Sequence, residues 1–370
     1  MKILYDATPL LMRSAGVKNY HYELLKRLFD LETPHRLRLF PFLNGLPPND
    51  NERSNYSRWS TVRGLGGLLA ANYLKLPFQT VAARGADLFH VTHHLFDPPR
   101  GPLLTSMVHD PTPLLMPTCH TQSNIRYFER FVERTLPRLA AVITPSDAVK
   151  QDLIAHCGAD PEKVRAIHHG VDPAFFDATE AEKREARRTY DLPERFILAV
   201  GSVEPRKNLI RLIEAYGGLP AAARERTALV LAGPSGWHDD DIRRRVEQAG
   251  NVRSIGYVRR DLLPAVYHLA NVFAFPSLYE GFGMPLLEAM AAGTPIVSSN
   301  RSAMPEVVGE AGLLVNPEDV DAIRGGLERV INHEELAAKL ARSGRERALS
   351  FTWEKTAAET LRFLAECAGS

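Results

Sequence analysis

Two pairs of side chains in the second half of this 370-residue chain are spaced for chemistry on an anionic, hydroxyl-rich ligand. Arg206 and Lys207 close the stretch Gly201-Ser202-Val203-Glu204-Pro205 that follows the apolar run Phe196–Val200. Asn208, next in line, reads as the N-cap of a helix beginning at Leu209. Two cations beside the positive end of a helix dipole suit a doubly charged anion. The second pair is Glu280 and Glu288, separated by Gly281-Phe282-Gly283-Met284-Pro285-Leu286-Leu287. Pro285 fits the first position of a helix, which leaves Glu280 in a loop and Glu288 in the first turns, leaning back toward the helix start. Carboxylates repel phosphate but accept hydrogen bonds from neighbouring hydroxyls, so the vicinal diols of a ribose and a sugar match this pair. Gly281 and Gly283 let a ligand approach the backbone closely. Each pair also has a plainer reading when taken alone: two solvated basic residues in a loop, and a helix-capping Glu288 beside an unrelated Glu280.

The elements that must position these groups alternate between short apolar runs and longer amphipathic segments. Ile3–Asp6, Leu37–Leu43, Leu88–Thr92, Leu103–His109, Ala141–Pro145 and Val164–His168 predict one series of strands. Phe196–Gly201, Ala228–Ala232, Val252–Gly256, Val272–Pro276, Ile296–Ser299 and Gly312–Val315 predict a second. Such continuous apolar runs suit strands covered on both faces by helices. Tyr20–Leu31, Leu209–Tyr216 and Pro317–Ile331 carry helical spacing between them. The alternation predicts an α/β protein with parallel sheets, and two series predict two Rossmann-like domains. The charged stretch Ala178–Arg188, punctuated by Asp191-Leu192-Pro193, marks the boundary and gives domains at 1–190 and 191–350. Ligands of such sheets bind at the carboxyl ends of the strands, so two domains facing each other would place the chemistry in the cleft between those ends.

With these residues in hand, the chain resembles the retaining nucleotide-sugar glycosyltransferases of family 4, whose fold is GT-B. In the second half the resemblance rests on Gly201-Ser202…Arg206-Lys207-Asn208, Gly233-Pro234, the Glu280-x7-Glu288 pair and Ala292-Gly293-Thr294-Pro295-Ile296-Val297. In the first half it rests on Asp6…Gly16-Val17…Tyr20, Val108-His109-Asp110, Pro145-Ser146 and His169-Gly170-Val171-Asp172. It covers essentially the whole chain and is loosest between residues 44 and 85. The resemblance implies that Arg206 and Lys207 hold a donor diphosphate, that Glu288 takes the ribose hydroxyls and that Glu280 contacts the transferred sugar. It sets the backbone around Phe282–Leu286, Met284 included, against sugar and phosphates. Gly16, Gly201, Ser202, Gly233, Tyr257, Val258, Gly281, Gly283 and Leu287 complete the donor site it implies, and His109 stands near the reacting centre. The segment 351–370 is implied to return to the first domain.

The implied chemistry follows from charge development. Breaking a sugar–phosphate bond leaves negative charge on the diphosphate, which Arg206, Lys207 and helix N–H groups would stabilise. No nucleophile is evident, and the family favours a same-face substitution in which the donor phosphate accepts the acceptor's proton. The nucleoside-diphosphate sugar is a co-substrate, so no cofactor is expected. GDP-mannose is the first donor expected and a UDP-hexose the second. An epimerase on the same fold and a non-catalytic nucleotide-sugar-binding protein are the rival classes. A glycan or a lipid-linked saccharide is the expected acceptor.

Composition narrows the field from the other side. Hydrophobic residues at 45% and charged residues at 24% are ordinary for a globular chain. Lys+Arg 45 against Asp+Glu 44 removes any bulk electrostatic case for nucleic acid. No uncharged apolar stretch approaches the roughly 18 residues of a membrane span, and Met1–Asp6 lacks the apolar run of a signal peptide. Cys119, Cys157 and Cys367 are dispersed and odd in number, so a reducing, cytoplasmic setting is expected. His238-Asp239-Asp240-Asp241 carries a metal-like Asp-x-Asp but precedes an amphipathic run, where acidic residues stabilise a helix start. His90, His93 and His94 read as loop or core histidines, and no metal site is expected. Residues 52–84 mix Arg53, Arg58, Arg63, Lys75 and Arg84 with Tyr56, Trp59, Leu68, Leu69, Tyr73, Leu76 and Phe78. Either this segment is a helical hairpin with Leu68, Leu69 and Leu76 facing the core, or it lies peripherally on an anionic membrane surface. In both cases it is expected to border the acceptor.

Overall fold

The computed structural model describes residues 1–13, 16–41, 43–74, 78–92, 98–234, 236 and 240–369. It forms two compact units: Met1–His169 together with Trp353–Ser370, and Gly170–Thr352. The first unit contains β1 (Lys2–Asp6), β2 (Arg36–Phe40), β3 (Leu88–Val91), β4 (Leu103–Met107), β5 (Ala141–Thr144) and β6 (Val164–Ala166). These pair in parallel in the order β2-β1-β3-β4-β5-β6. The second unit contains β7 (Phe196–Val200), β8 (Ala228–Ala232), β9 (Val252–Gly256), β10 (Val272–Phe275), β11 (Ile296–Ser299) and β12 (Leu313–Val315). Its order is β12-β11-β10-β7-β8-β9, again parallel throughout.

Burial follows from position in each sheet. Every residue of β3, β5, β8, β10 and β11 is buried, as parallel strands covered on both faces must be. The edge strands β2, β9 and β12 are partly exposed. In the second unit the chain winds one way from β7 through β8 to β9 and the other way from β10 through β11 to β12. The crevice outside the carboxyl ends of β7 and β10 is therefore a topological switch point, where α/β sheets bind ligands. The first unit has its switch point between β1 and β3.

The division between units falls at His169/Gly170, ahead of the charged stretch where the sequence reading places it. The charged stretch does form a helix, Glu180–Thr189, but it belongs to the second unit and not to the boundary. Thr179 and Glu182 close it with a capping box, Ala186 is fully buried, and it packs against the helix Leu263–Leu269. Arg259 ties the two together, lying 3.5 Å from Glu185 and donating its backbone N–H to the Tyr190 hydroxyl at 2.9 Å. At the other end of the chain, the helix Trp353–Cys367 packs along Gly16–Asp30 in the first unit. Arg27 meets Glu354 there at 2.9 Å, and Thr356 Oγ1 donates to the His168 carbonyl at 2.7 Å.

The helix Arg58–Tyr73 is opened by Ser57, whose hydroxyl accepts from the Ser60 N–H at 3.2 Å. It turns Leu68 inward, but Leu69 is 55% exposed and does not share the core as expected. One step along a helix rotates a side chain by about 100°, and the buried stripe of this helix takes in Leu68 but stops short of Leu69. Trp59, at 73% exposure, and Val62 lie on the outer side with Leu69. Leu76 lies outside the described residues. No helix among the described residues is long and apolar enough to cross a membrane.

Candidate active site

At the switch point of the second unit two loops pass in backbone contact. Gly201, after β7, and Gly233, after β8, hold φ near +150° and +151°. A Cβ on Gly233 would lie 1.9 Å from the Gly201 carbonyl oxygen, so only glycine fits. The N–H of Gly201 donates to Ala232 at 2.9 Å and that of Gly233 to Gly256 at 2.8 Å, which holds both loops against the sheet.

Arg206 and Lys207 stand in the short turn Pro205–Lys207. Asn208 does follow at φ 59°, but its side chain does not cap the helix Leu209–Gly217. Its amide donates to the carbonyls of Pro276 (3.0 Å) and Pro317 (2.6 Å), and its oxygen accepts from Arg211 (3.0 Å). Asn208 thus ties the turn to the loops after β10 and β12 instead of satisfying the helix start.

The two cations and Glu280 are one another's partners. Arg206 Nη1 lies 2.9 Å from Glu280 Oε2 and also donates to the Tyr279 carbonyl at 2.7 Å. Lys207 Nζ lies 2.7 Å from Glu280 Oε1. Arg206 Nη2 donates to Glu204 Oε1 at 2.8 Å. Side-chain exposures of 15% for Arg206, 12% for Lys207, 9% for Glu280 and 4% for Glu204 leave the cluster largely out of water. Two positive and two negative groups make it electrically balanced. Burial alone would push the Glu280 carboxyl up, but Arg206 and Lys207 outweigh that and hold it down at about 2. Ser302 fixes the backbone of Glu280, accepting from its N–H at 2.9 Å and donating to its carbonyl at 3.0 Å.

Glu288 sits on the helix Met284–Ala291, which starts from Gly283 at φ 101° and takes Pro285 as its second residue rather than its first. Its Oε2 accepts from the Tyr267 hydroxyl at 2.7 Å. The residue keeps partial surface exposure, yet the packing around its carboxyl is dense. Burial therefore raises it to about 7, against the pull of the Tyr267 hydrogen bond and of Arg260, while Asp172 pushes the same way as burial. Arg260 and Asp172 pair with each other at 3.1 Å. The side chains of Phe282, Leu286, Leu287 and Val258 belong to the hydrophobic core, which leaves backbone as what those positions can offer a ligand. Tyr257 and Ser202 are half-buried, as is Met284 at the helix start.

In the first unit His109 follows β4 and is half-buried. Its ring meets the edge of Tyr20 at 4.9 Å and lies 5.6 Å from His21 and 6.0 Å from His169. Behind it Tyr5 shares a 2.6 Å hydrogen bond with His21 and stacks on His90 at 4.9 Å. His90 is a core residue bonded to Thr105 at 2.9 Å, and burial lowers it to about 3. Gly16 opens the helix Gly16–Asp30. Two positions along, Lys18 is fully buried, its ammonium donating to the carbonyls of Met12 (3.0 Å), Asp50 (2.5 Å) and Arg53, and burial lowers it to about 8.

His93, His94, His238 and Asp239 lie outside the described residues. Asp240 begins the helix Asp240–Gln248 and Asp241 pairs with Arg244 within it. Among the described residues no three His, Cys, Asp or Glu side chains are grouped so that they could hold a metal ion. None of the three cysteines forms a disulfide. Sequence reasoning missed Glu204, Ser302, Tyr267 and Lys18. Glu204 had a local signal, an acid two residues before an arginine, whereas the other three act on partners far along the chain.

Fold and site together define an α/β protein of two Rossmann-like sheets with a buried charge cluster at a switch point. Among known proteins, the profile described as Glycosyl transferases group 1 matches residues 181–347, and that described as Glycosyltransferase Family 4 matches residues 15–175. The O-antigen chain mannosyltransferase B of Escherichia coli is 31% identical over 375 residues, 98% of this chain and 98% of its own. The chain belongs to the family 4, group 1 glycosyltransferases. Its fold is GT-B: sucrose-phosphate synthase from Thermosynechococcus elongatus matches it with a TM-score of 0.76 over 100% of both chains at 22% identity. Anabaena HepE, solved with UDP and glucose, matches with a TM-score of 0.73 over 99% of this chain and 100% of its own at 18% identity.

Proposed function

We propose that this glycosyltransferase is a retaining hexosyltransferase that moves mannose from GDP-mannose to a hydroxyl of a glycan or lipid-linked saccharide. The observation that carries the reading is the cluster of Arg206, Lys207 and Glu280 at the β7/β10 switch point, with Glu288 one helix further on. A diphosphate entering there competes with Glu280 for both cations and releases a carboxylate beside the sugar. Glu288 then accepts the ribose hydroxyls, and the leaving diphosphate takes up the acceptor's proton on the face it departs from. The kinship with an O-antigen chain mannosyltransferase supports mannose. The likeness to HepE, a structure holding UDP, supports a nucleoside diphosphate sugar and keeps a UDP-hexose as the second donor. Metal independence is part of the proposal: charge on the diphosphate is met by side chains and backbone N–H groups.

The test is a donor panel of GDP-mannose and UDP-hexoses read by thermal shift, since a ligand that binds only the folded chain stabilises it by mass action. Hydrolysis or transfer products are then examined for anomeric configuration. Stabilisation by GDP-mannose with retained configuration is expected, with activity unchanged by EDTA. An inverted linkage, an epimerised sugar, or preference for a UDP-hexose would each displace the corresponding part of the reading.

We further propose that the outer side of Arg58–Tyr73 meets an anionic lipid surface at the cytoplasmic face of a membrane. Between Arg53 and Ala86 the chain carries five basic residues and no acidic one, although its net charge overall is +1. Exposed Trp59, Val62 and Leu69 lie beside exposed Arg58 and Arg63. Sedimentation with vesicles containing phosphatidylglycerol, but not with phosphatidylcholine alone, is expected at low salt and lost in Arg58→Glu/Arg63→Glu.

A further inference from the structure

We propose that Tyr267 is the positioning residue of Glu288, and that Thr294, in the turn Ala292-Gly293-Thr294-Pro295, holds Tyr267 in place. The inference rests on the reading of Glu288 as the ribose carboxylate and adds the parts that set its geometry and charge. Tyr267 lies in the helix Leu263–Leu269 with no exposed surface. Its ring is fixed edge-on between Phe273 at 5.4 Å and Phe175 at 5.7 Å, so the hydroxyl has one place to be. From there it donates to Glu288 Oε2 at 2.7 Å. A phenol that occupies one carboxylate oxygen holds the side-chain rotamer and leaves the other oxygen for a diol.

The turn after Glu288's helix supplies the second fixture. Gly293 takes φ 70°, which a side chain would resist, and this brings Thr294 under both helices. Its N–H donates to the Ala289 carbonyl at 2.9 Å, the residue next to Glu288. Its hydroxyl donates to the backbone carbonyl of Tyr267 at 2.8 Å. One residue thus locks the donor of the 2.7 Å hydrogen bond against its acceptor, which gives this motif a role that core packing alone does not require.

The same hydrogen bond selects the charged form. Burial raises Glu288 to about 7, and the Tyr267 hydroxyl is the foremost group opposing it. Burial pushes the phenol itself far above its ordinary range, so it remains a donor at every working pH. The other groups acting on the carboxyl are Arg260, which favours the charged form, and Asp172, which opposes it. On the neighbouring elements, Arg345 is engaged with the Ala291 carbonyl and Asp177, Arg347 with the carbonyls of Glu306 and Val307, and His268 with the Phe175 carbonyl.

The test measures GDP and UDP binding by calorimetry from pH 6 to 9 for wild type, Tyr267→Phe and Glu288→Gln. Ratios to wild type cancel the nucleotides' own titration. Losing the phenol raises the carboxyl's pKa, so Tyr267→Phe is expected to bind roughly five-fold more weakly at pH 7 and to converge on wild type by pH 9. Glu288→Gln is expected to be weaker at high pH. A merely structural tyrosine would give a loss of equal size at every pH, and that result overturns the proposal. So does a Tyr267→Phe protein that matches wild type throughout while Glu288→Gln is weakened. If Glu288→Gln itself binds like wild type, the ribose reading has failed first. Should Tyr267→Phe not fold, uniform 3-fluorotyrosine, a stronger donor in the native chain, is expected to move the binding midpoint to lower pH; an unmoved midpoint overturns the proposal.

Discussion

Replacing Glu280 with glutamine keeps the shape of the side chain and removes the charge that balances Arg206 and Lys207. In the native cluster its carboxyl is held at about 2 against an ordinary 4.5. That depression corresponds to about 3 kcal/mol in favour of the charged form, in line with the ~3–5 kcal/mol lost when one partner of a buried ion pair is removed. The sign is fixed: a depressed carboxylate contributes stability that is complete above its unfolded pKa and is lost as pH falls toward 2. Glu280→Gln is therefore expected to lower unfolding free energy at pH 7 by about 3 kcal/mol. The same change leaves both cations short of an anion, and a free nucleoside diphosphate supplies one without displacing Glu280. GDP or UDP, whichever wild type prefers, should bind at least ten-fold more tightly, a gain of about 1.4 kcal/mol. Sugar transfer should collapse, because the carboxylate proposed to contact the sugar is gone. Urea unfolding with and without nucleotide, calorimetry and product formation read the three effects separately. Unchanged stability together with unchanged nucleotide affinity would refute the idea that Glu280 is the internal counter-ion of the diphosphate site.

Three further outcomes are expected. Gly233→Ala places a Cβ against the Gly201 carbonyl and should cost about 3 kcal/mol or more in urea unfolding; a native-like midpoint would mean the two loops do not meet. In a Glu288→Gln background, which removes the opposing proton uptake of that raised carboxyl in the folded chain, stability should fall as pH drops below 6.5, because the unfolded chain takes up protons that buried His90 refuses until about 3 and His169 also resists. The loss is about 2 kcal/mol for His90 at pH 5, with His169 acting in the same direction, and a flat profile between pH 7 and 5 in that background would contradict it. Lys18→Met leaves the carbonyls of Met12, Asp50 and Arg53 without their shared donor and should cost about 2–3 kcal/mol, with faster proteolysis near Asp50–Arg53; unchanged cleavage would show that Lys18 does not hold that loop.

Both sheets were legible because parallel strands buried on two faces leave continuous apolar runs, and each of the twelve runs carries a strand. Their ends were less legible. The run at Leu37–Leu43 yields a strand only to Phe40, since Pro41 has no N–H to give the ladder. The domain boundary was displaced because a solvated, charged helix followed by Asp191-Leu192-Pro193 was taken to mark it, while Glu180–Thr189 is a helix that packs through buried Ala186 within the second unit. In the site, Arg206, Lys207, Glu280 and Glu288 were visible from residue type and spacing. Their pairing was not, because Lys207 and Glu280 lie seventy-three positions apart and meet only once β7 and β10 are neighbours. Asn208 shows the same limit: it sits where a cap belongs, but tertiary partners at Pro276 and Pro317 claim its amide.

A carboxylate at a switch point is not by itself a binding group, and the two sheets of this protein make the distinction. Asp6 ends β1 at the first unit's switch point, fully buried, and its oxygens accept from the backbone N–H and hydroxyl of both Thr8 and Thr92. All four donors are neutral, short and fixed to the backbone, so the carboxylate serves to join β1 to β3 and no ligand can take its partners away. Glu280 stands at the second unit's switch point, in the loop after β10, but its partners are the ends of two long cationic side chains. Those can turn toward a phosphate, and a diphosphate offers them more charge than one carboxylate does. Position in the fold nominates both groups; the chemistry of the partners decides which one is structural and which one can be exchanged for a substrate.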